Sequence, residues 1–217
     1  MKQIQTIGKG QTTMKRSKTM KSILAFILCA CIAVSGIGLE TVSAAGKKIP
    51  LKVGFEGETV NLIKDLKDSS GQGDSTKLSS VEKKWGKAKG KKQDGMMTYT
   101  WKKGKTKILV NNFDAEENDI GGIEIDIKDE NGSLWGVKVG MTKAAALKKI
   151  KKALGTKTVL GIKRTDDGLW EIDGKIPKSG VYIAASEETI DAYTGVYMPV
   201  TFTIKDGRVT SISFWRS

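Results

Sequence analysis

The most regular pattern in the chain is the alternation of apolar and polar residues near its end. Met198, Val200, Phe202 and Ile204 alternate with Pro199, Thr201 and Thr203, and further on Ile212 and Phe214 alternate with Ser211, Ser213 and Trp215. A period of two sends successive side chains to opposite faces of a strand, so both runs read as half-buried strands. Lys205-Asp206-Gly207-Arg208 joins them, and its Asp-Gly pair suits a type I′ hairpin turn. The same alternation puts Met97, Tyr99 and Trp101 on one face of a strand that turns near Gly104 into residues 106–113. It also lines Ile123, Ile125 and Ile127 against Glu124, Asp126 and Lys128. Val181, Ile183 and Ala185 make a further strand, and another falls near residues 158–163.

Helical spacing occupies less of the chain. Ala146, Leu147, Ile150 and Leu154 form one apolar stripe, with Thr142 placed to cap its start and Gly155 its end. Val60, Ile63 and Leu66 suggest an earlier helix, and residues 79–85 a short one that stops at Gly86. Leu51-Lys52-Val53-Gly54-Phe55 matches Val137-Lys138-Val139-Gly140-Met141 at a spacing of 86 residues, and each leads into one of these helical stripes. The expectation is therefore an α+β fold of two tandem repeats, 46–132 and 133–217. In each, one or two helices pack on one face of an antiparallel sheet and the other face stays wet.

Residues 1–45 read as a secretory signal peptide. Lys15, Arg16, Lys18 and Lys21 precede the apolar run 23–39, and Ser43 and Ala45 stand where a signal peptidase needs small residues before Gly46. Met14 or Met20 as the start would give the charged region a more ordinary length. The run is also about as long as a short membrane span requires. Leu28-Cys29-Ala30-Cys31 resembles a lipoprotein cleavage box that would leave Cys31 as a lipid anchor, although residues 32–39 stay apolar where a lipoprotein usually turns polar. The expected location is secreted or cell surface. Cys29 and Cys31 are the two cysteines of the chain, so the exported part would rely on packing and not on disulfides.

Composition narrows the chemistry. The chain has no histidine, which removes Ser-His and Cys-His nucleophile pairs, His-bearing metal sites and imidazole proton shuttles. Gly104-Lys105-Thr106 ends like a phosphate loop, but Tyr99 stands where the first glycine belongs. The segment around Gly132 lacks an acid at residue 127 and has Lys138 where a calcium loop needs Glu. The carboxylates Asp114, Glu116, Glu117 and Asp119 read as a solvated loop. No spacing singles out a carboxylate pair for hydrolysis. Neither enzyme activity nor a cofactor or metal is expected.

Charge is segregated. Residues 83–107 carry a net +9, residues 108–137 a net −7 and residues 138–164 a net +9. Lysine blocks of this kind attract anionic polymers such as wall polyphosphates, acidic glycans or nucleic acid, with salt-dependent affinity. Export would remove nucleic acid as a partner. The bland alternative is a solvated basic face neutralised by the neighbouring acidic block.

Val139-Gly140-Met141-Thr142, followed by Leu147 and Leu154-Gly155, resembles the opening of the small helix-then-sheet module of bacterial outer-membrane-assembly lipoproteins. Tandem pairs of that module resemble the secreted beta-lactamase inhibitory proteins. The resemblance covers about 20 residues closely, and the module's frequent Pro after the Gly is replaced by Thr156-Lys157. It implies binding without catalysis, on a concave paired sheet that holds a partner protein.

Strand parity names the surface such a role would use. Trp215 shares a face with Ser211 and Ser213, Thr201 and Thr203 lie on the reverse of Val200 and Phe202 together with Tyr197, and Tyr182 lies opposite Val181 and Ile183. A sheet face of Tyr, Trp, Thr and Ser offers contact area at low entropy cost and hydroxyls that orient a partner. The expected function is a secreted, non-catalytic binding protein presenting this face to a protein or cell-wall component. Electrostatic capture of an anionic surface polymer by the lysine-rich segments is the alternative.

Overall fold

The computed structural model of the chain describes residues 47–68, 75–93, 96–112, 118–195 and 198–216. The expected signal segment with both cysteines, Tyr197, and the acidic residues Asp114, Glu116 and Glu117 lie outside the described residues.

The first element among the described residues is a hairpin, β1 (Leu51–Phe55) and β2 (Glu58–Ile63), joined at Glu56-Gly57. Both turn residues have positive φ, 48° and 90°, as a type I′ turn demands. That turn decides the local structure: the three-residue spacing of Val60, Ile63 and Leu66 suggested a helix, yet Val60 and Ile63 lie in β2. Then come α1 (Leu78–Trp85), β3 (Lys89–Gln93), β4 (Met96–Lys103), β5 (Thr106–Asn112), β6 (Ile123–Ile127) and β7 (Gly132–Leu134). The second half holds α2 (Lys143–Leu154), β8 (Val159–Arg164), β9 (Trp170–Asp173), β10 (Val181–Ala185), β11 (Thr189–Thr194), β12 (Val200–Lys205) and β13 (Arg208–Arg216). Thr142 caps α2 by accepting from the Ala145 N–H at 3.4 Å, and Gly155 ends it in the left-handed conformation. Asp206 and Gly207, at φ 52° and 69°, make the expected turn between β12 and β13.

Two sheets result. β2-β1-β7 form a small one, and ten strands run β3-β4-β5-β6-β13-β12-β11-β10-β8-β9, all antiparallel except the β8–β10 pair. The two halves thus meet through their last long strands, with Ile125 opposite Phe214 and Glu124 opposite Trp215.

The expected α+β fold of helix-on-sheet repeats is corrected by this architecture. The described residues are mostly β, with 13 strands and only two short helices. The two matched pentapeptides also differ: 51–55 is a strand, whereas 137–141 is a turn-rich link into α2. Trp135 and Gly136, at φ 51° and 74°, fold the chain back so that Val137 bridges only Leu134, and Gly140, at φ 86°, breaks the run again. An identical alternation extends as a strand only where a neighbour is free to pair with it.

One continuous core holds these layers together. Ile108, Val110, Ile123, Ile125, Ile127, Phe202, Ile212 and Phe214 line the inner face of the large sheet. Leu51, Val53, Phe55 and Leu134 of the small sheet and the stripe Ala146, Ile150 and Leu154 of α2 belong to the same cluster. Aromatic rings connect the layers: Trp85 stands 5.8 Å from Phe55 and edge-on to Trp101 at 5.4 Å, and Trp135 lies 6.4 Å from Phe202. Trp85 and Trp101 are both buried in this core.

Candidate functional site

The outer face of the large sheet is built by the polar half of each alternation. Across its middle run Lys107, Asp126, Ser213, Thr201 and Asp191 in register on β5, β6, β13, β12 and β11. Leu109, Glu124 and Trp215 form the next row, and Ser211, Thr203 and Thr189 the row on the other side.

Trp215, next to last on β13 and past its pairing with β12, lies opposite Glu124 of β6 and is 53% exposed. Thr203 and Ser213 are exposed, Ser211 is half-buried, and the Ser211 hydroxyl donates to Thr203 Oγ1 at 2.8 Å. Thr201 is half-buried and donates from Oγ1 to Asp191 Oδ1 at 2.6 Å. Thr189 Oγ1 lies 3.5 Å from the second carboxylate oxygen. Burial raises the Asp191 carboxyl above the usual carboxylate range against the opposing pull of these two hydroxyls. Burial, and after it the Asp191 charge, pushes the Tyr182 phenol up as well.

No known protein family, curated protein or solved structure matches the chain.

Six of the seven residues singled out by strand parity lie among the described residues, and five of these are exposed or half-buried on the open face. Tyr182 does sit opposite Val181 and Ile183, but its ring stacks on Tyr193 with centroids 4.6 Å apart and planes 9° from parallel. Only 6% of Tyr182 is exposed, so it supports the face and does not present itself on it. Sequence reasoning missed Asp191, Thr189 and Tyr193. The signal was there: Ile190 and Ala192 alternate with them and turn inward, the same period-two pattern that marks β12.

At the β9 edge the face ends in a second aromatic feature. Trp170 is 50% exposed, pairs in register with Arg164, and carries the guanidinium 5.4 Å from its ring centroid. Among the described residues no group of three acidic or other metal-ligating side chains converges.

Proposed function

We propose that this is an exported, non-catalytic binding protein that holds a partner protein or a cell-wall component on the open face of its large sheet. The observation that carries the proposal is the half-exposed Trp215 on the open face of β13, opposite Glu124 and one row from Ser213 and Thr201. A large aromatic left in water costs hydration free energy that a partner recovers, and such residues dominate contact surfaces out of proportion to their number. The Thr and Ser side chains of the face offer hydroxyls that orient a partner, and its charges are in part paired with one another, Lys107 with Glu124 and Asp126 with Lys128.

Export rests on the basic residues, apolar run and small-residue site within 1–45. Capture of a partner from a cell-surface extract by the immobilised chain, compared with Trp215→Ala, tests the reading. Loss of the captured species with an unchanged melting temperature supports it, and retention of that species by the variant refutes it.

A further inference from the structure

On the far side of the molecule the outer face of the small sheet and the second half of α2 enclose a cleft of about 490 Å3. Five lysines line it, Lys47, Lys48, Lys52, Lys149 and Lys152, and no acidic residue does. We propose that this cleft binds a phosphate-rich anionic chain, independently of the open sheet face.

Three separate segments bring the lysines together. Lys52 is the outward residue of β1, whose other side chains enter the core. Lys149 and Lys152 are three apart on α2 and share one side of it, with Ile150 turned inward between them. Lys149 folds back over the Trp135-Gly136 turn, its Nζ 3.4 Å from where a Cβ on Gly136 would stand. The partial negative charge at the end of α2 accounts for Lys152. It accounts for none of the three lysines that precede and form β1.

Five lysines elsewhere on the molecule pair with carboxylates, Lys84 with Glu58, Lys103 with Glu56, Lys107 with Glu124, Lys128 with Asp126 and Lys163 with Asp173, so what distinguishes the cleft is the convergence of its lysines from three segments. Among the described residues none of the five cleft lysines makes an ion pair. A cleft of this volume is roughly 10 Å across, comparable to the Debye length at ordinary ionic strength, so the five charges act on an anion as one field. Their mutual repulsion is relieved by a polyanion.

The chemistry favours phosphate. Lysine offers a rotatable point charge, without the planar fork with which arginine grips carboxylate and phosphate alike, so the cleft reads charge density along a flexible chain, which is highest in a polyphosphate. Thr59 and Ser133 flank Gly54 in register on the cleft floor and place hydroxyls beside the ammonium groups. Trp135, also in the lining, is 8% exposed and donates from Nε1 to the Pro50 carbonyl at 2.7 Å, so the cleft has no apolar wedge for a bilayer.

Titration of the full chain with inorganic polyphosphate across a range of salt concentrations tests the proposal. Binding should weaken steeply with salt, and Lys149→Gln/Lys152→Gln should make the slope of log K against log salt shallower by about two. Lys84→Gln/Lys103→Gln, which removes two lysines engaged elsewhere, should leave affinity within about twofold of wild type by the same reasoning. Three results would each overturn the proposal: no binding at low salt, equal weakening by both pairs of substitutions, or tighter binding of a sulfated glycan than of polyphosphate.

Discussion

Thr201 Oγ1 on β12 donates to Asp191 Oδ1 on β11 at 2.6 Å, fixing a partly buried carboxylate at the middle of the open face. Burial raises the folded-state pKa of this group above its unfolded value, so the folded protein holds the proton more tightly than the unfolded chain. The stability linked to that proton is complete below about pH 4 and is lost as pH rises through the folded-state value. Asp191→Asn keeps an oxygen for Thr201 and cannot ionise. It should melt above wild type at pH 7, with the gap closing as pH falls towards 4; a gap of the same size at both pH values would falsify the assignment.

Trp215 and Phe202 lie on opposite faces of the same sheet, one 53% exposed and the other fully buried. Trp215→Ala should change unfolding free energy by no more than about 0.5 kcal/mol, whereas Phe202→Ala should cost about 3–5 kcal/mol through lost burial and a cavity. Urea denaturation of the two variants measures both. A large loss from Trp215→Ala would place that ring in a structural role.

Arg216 ends β13 in a buried position and acts as a knot between distant segments. Its Nη2 donates to Ser75 Oγ at 2.6 Å, to the Gly121 carbonyl at 2.8 Å and to the Ile120 carbonyl at 3.2 Å. Arg216→Met would leave these acceptors without their donor and should cost about 3 kcal/mol. Lysine lacks the planar fork that serves several acceptors at once, so Arg216→Lys should recover less than half of the loss in the same denaturation assay.

Gly132 and Gly207 separate two reasons for a glycine. A Cβ on Gly132 would stand 2.8 Å from Ile127 Cγ1 and 2.9 Å from Thr106 Cγ2, so its absence lets the small sheet approach the large one. Gly132→Ala should cost about 1–3 kcal/mol through overpacking. Gly207 has open space around it and a φ of 69°, so Gly207→Ala should cost about 1 kcal/mol from backbone strain alone. Thermal unfolding should rank Gly132→Ala as the more damaging of the two.

Much of the outer face was legible before any coordinates. Alternation is local, and it placed Thr203, Ser213 and Trp215 on the reverse of Phe202, Ile212 and Phe214, where they lie. Asp191 and Tyr193 follow the same rule on β11, where the inward residues are Ile190, Ala192 and Thr194, a set with less apolar contrast than the Val200, Phe202 and Ile204 of β12. Tyr182 obeys the parity and is buried all the same, because exposure depends on the ring of Tyr193 one strand away.

The sequence by itself determined which residues turn inward on β12 and β13, where those strands reverse, how α2 starts and stops, and that histidine chemistry is absent. These depend on side-chain alternation, turn residues and caps within a few positions of one another. Only the tertiary structure decided that β6 pairs with β13, that 51–55 becomes a strand while its near copy at 137–141 does not, and that lysines from 47–52 meet those of 149–152. Pairing of distant segments is settled by the competition of whole faces for one core, and short-range spacing carries no record of which segment wins.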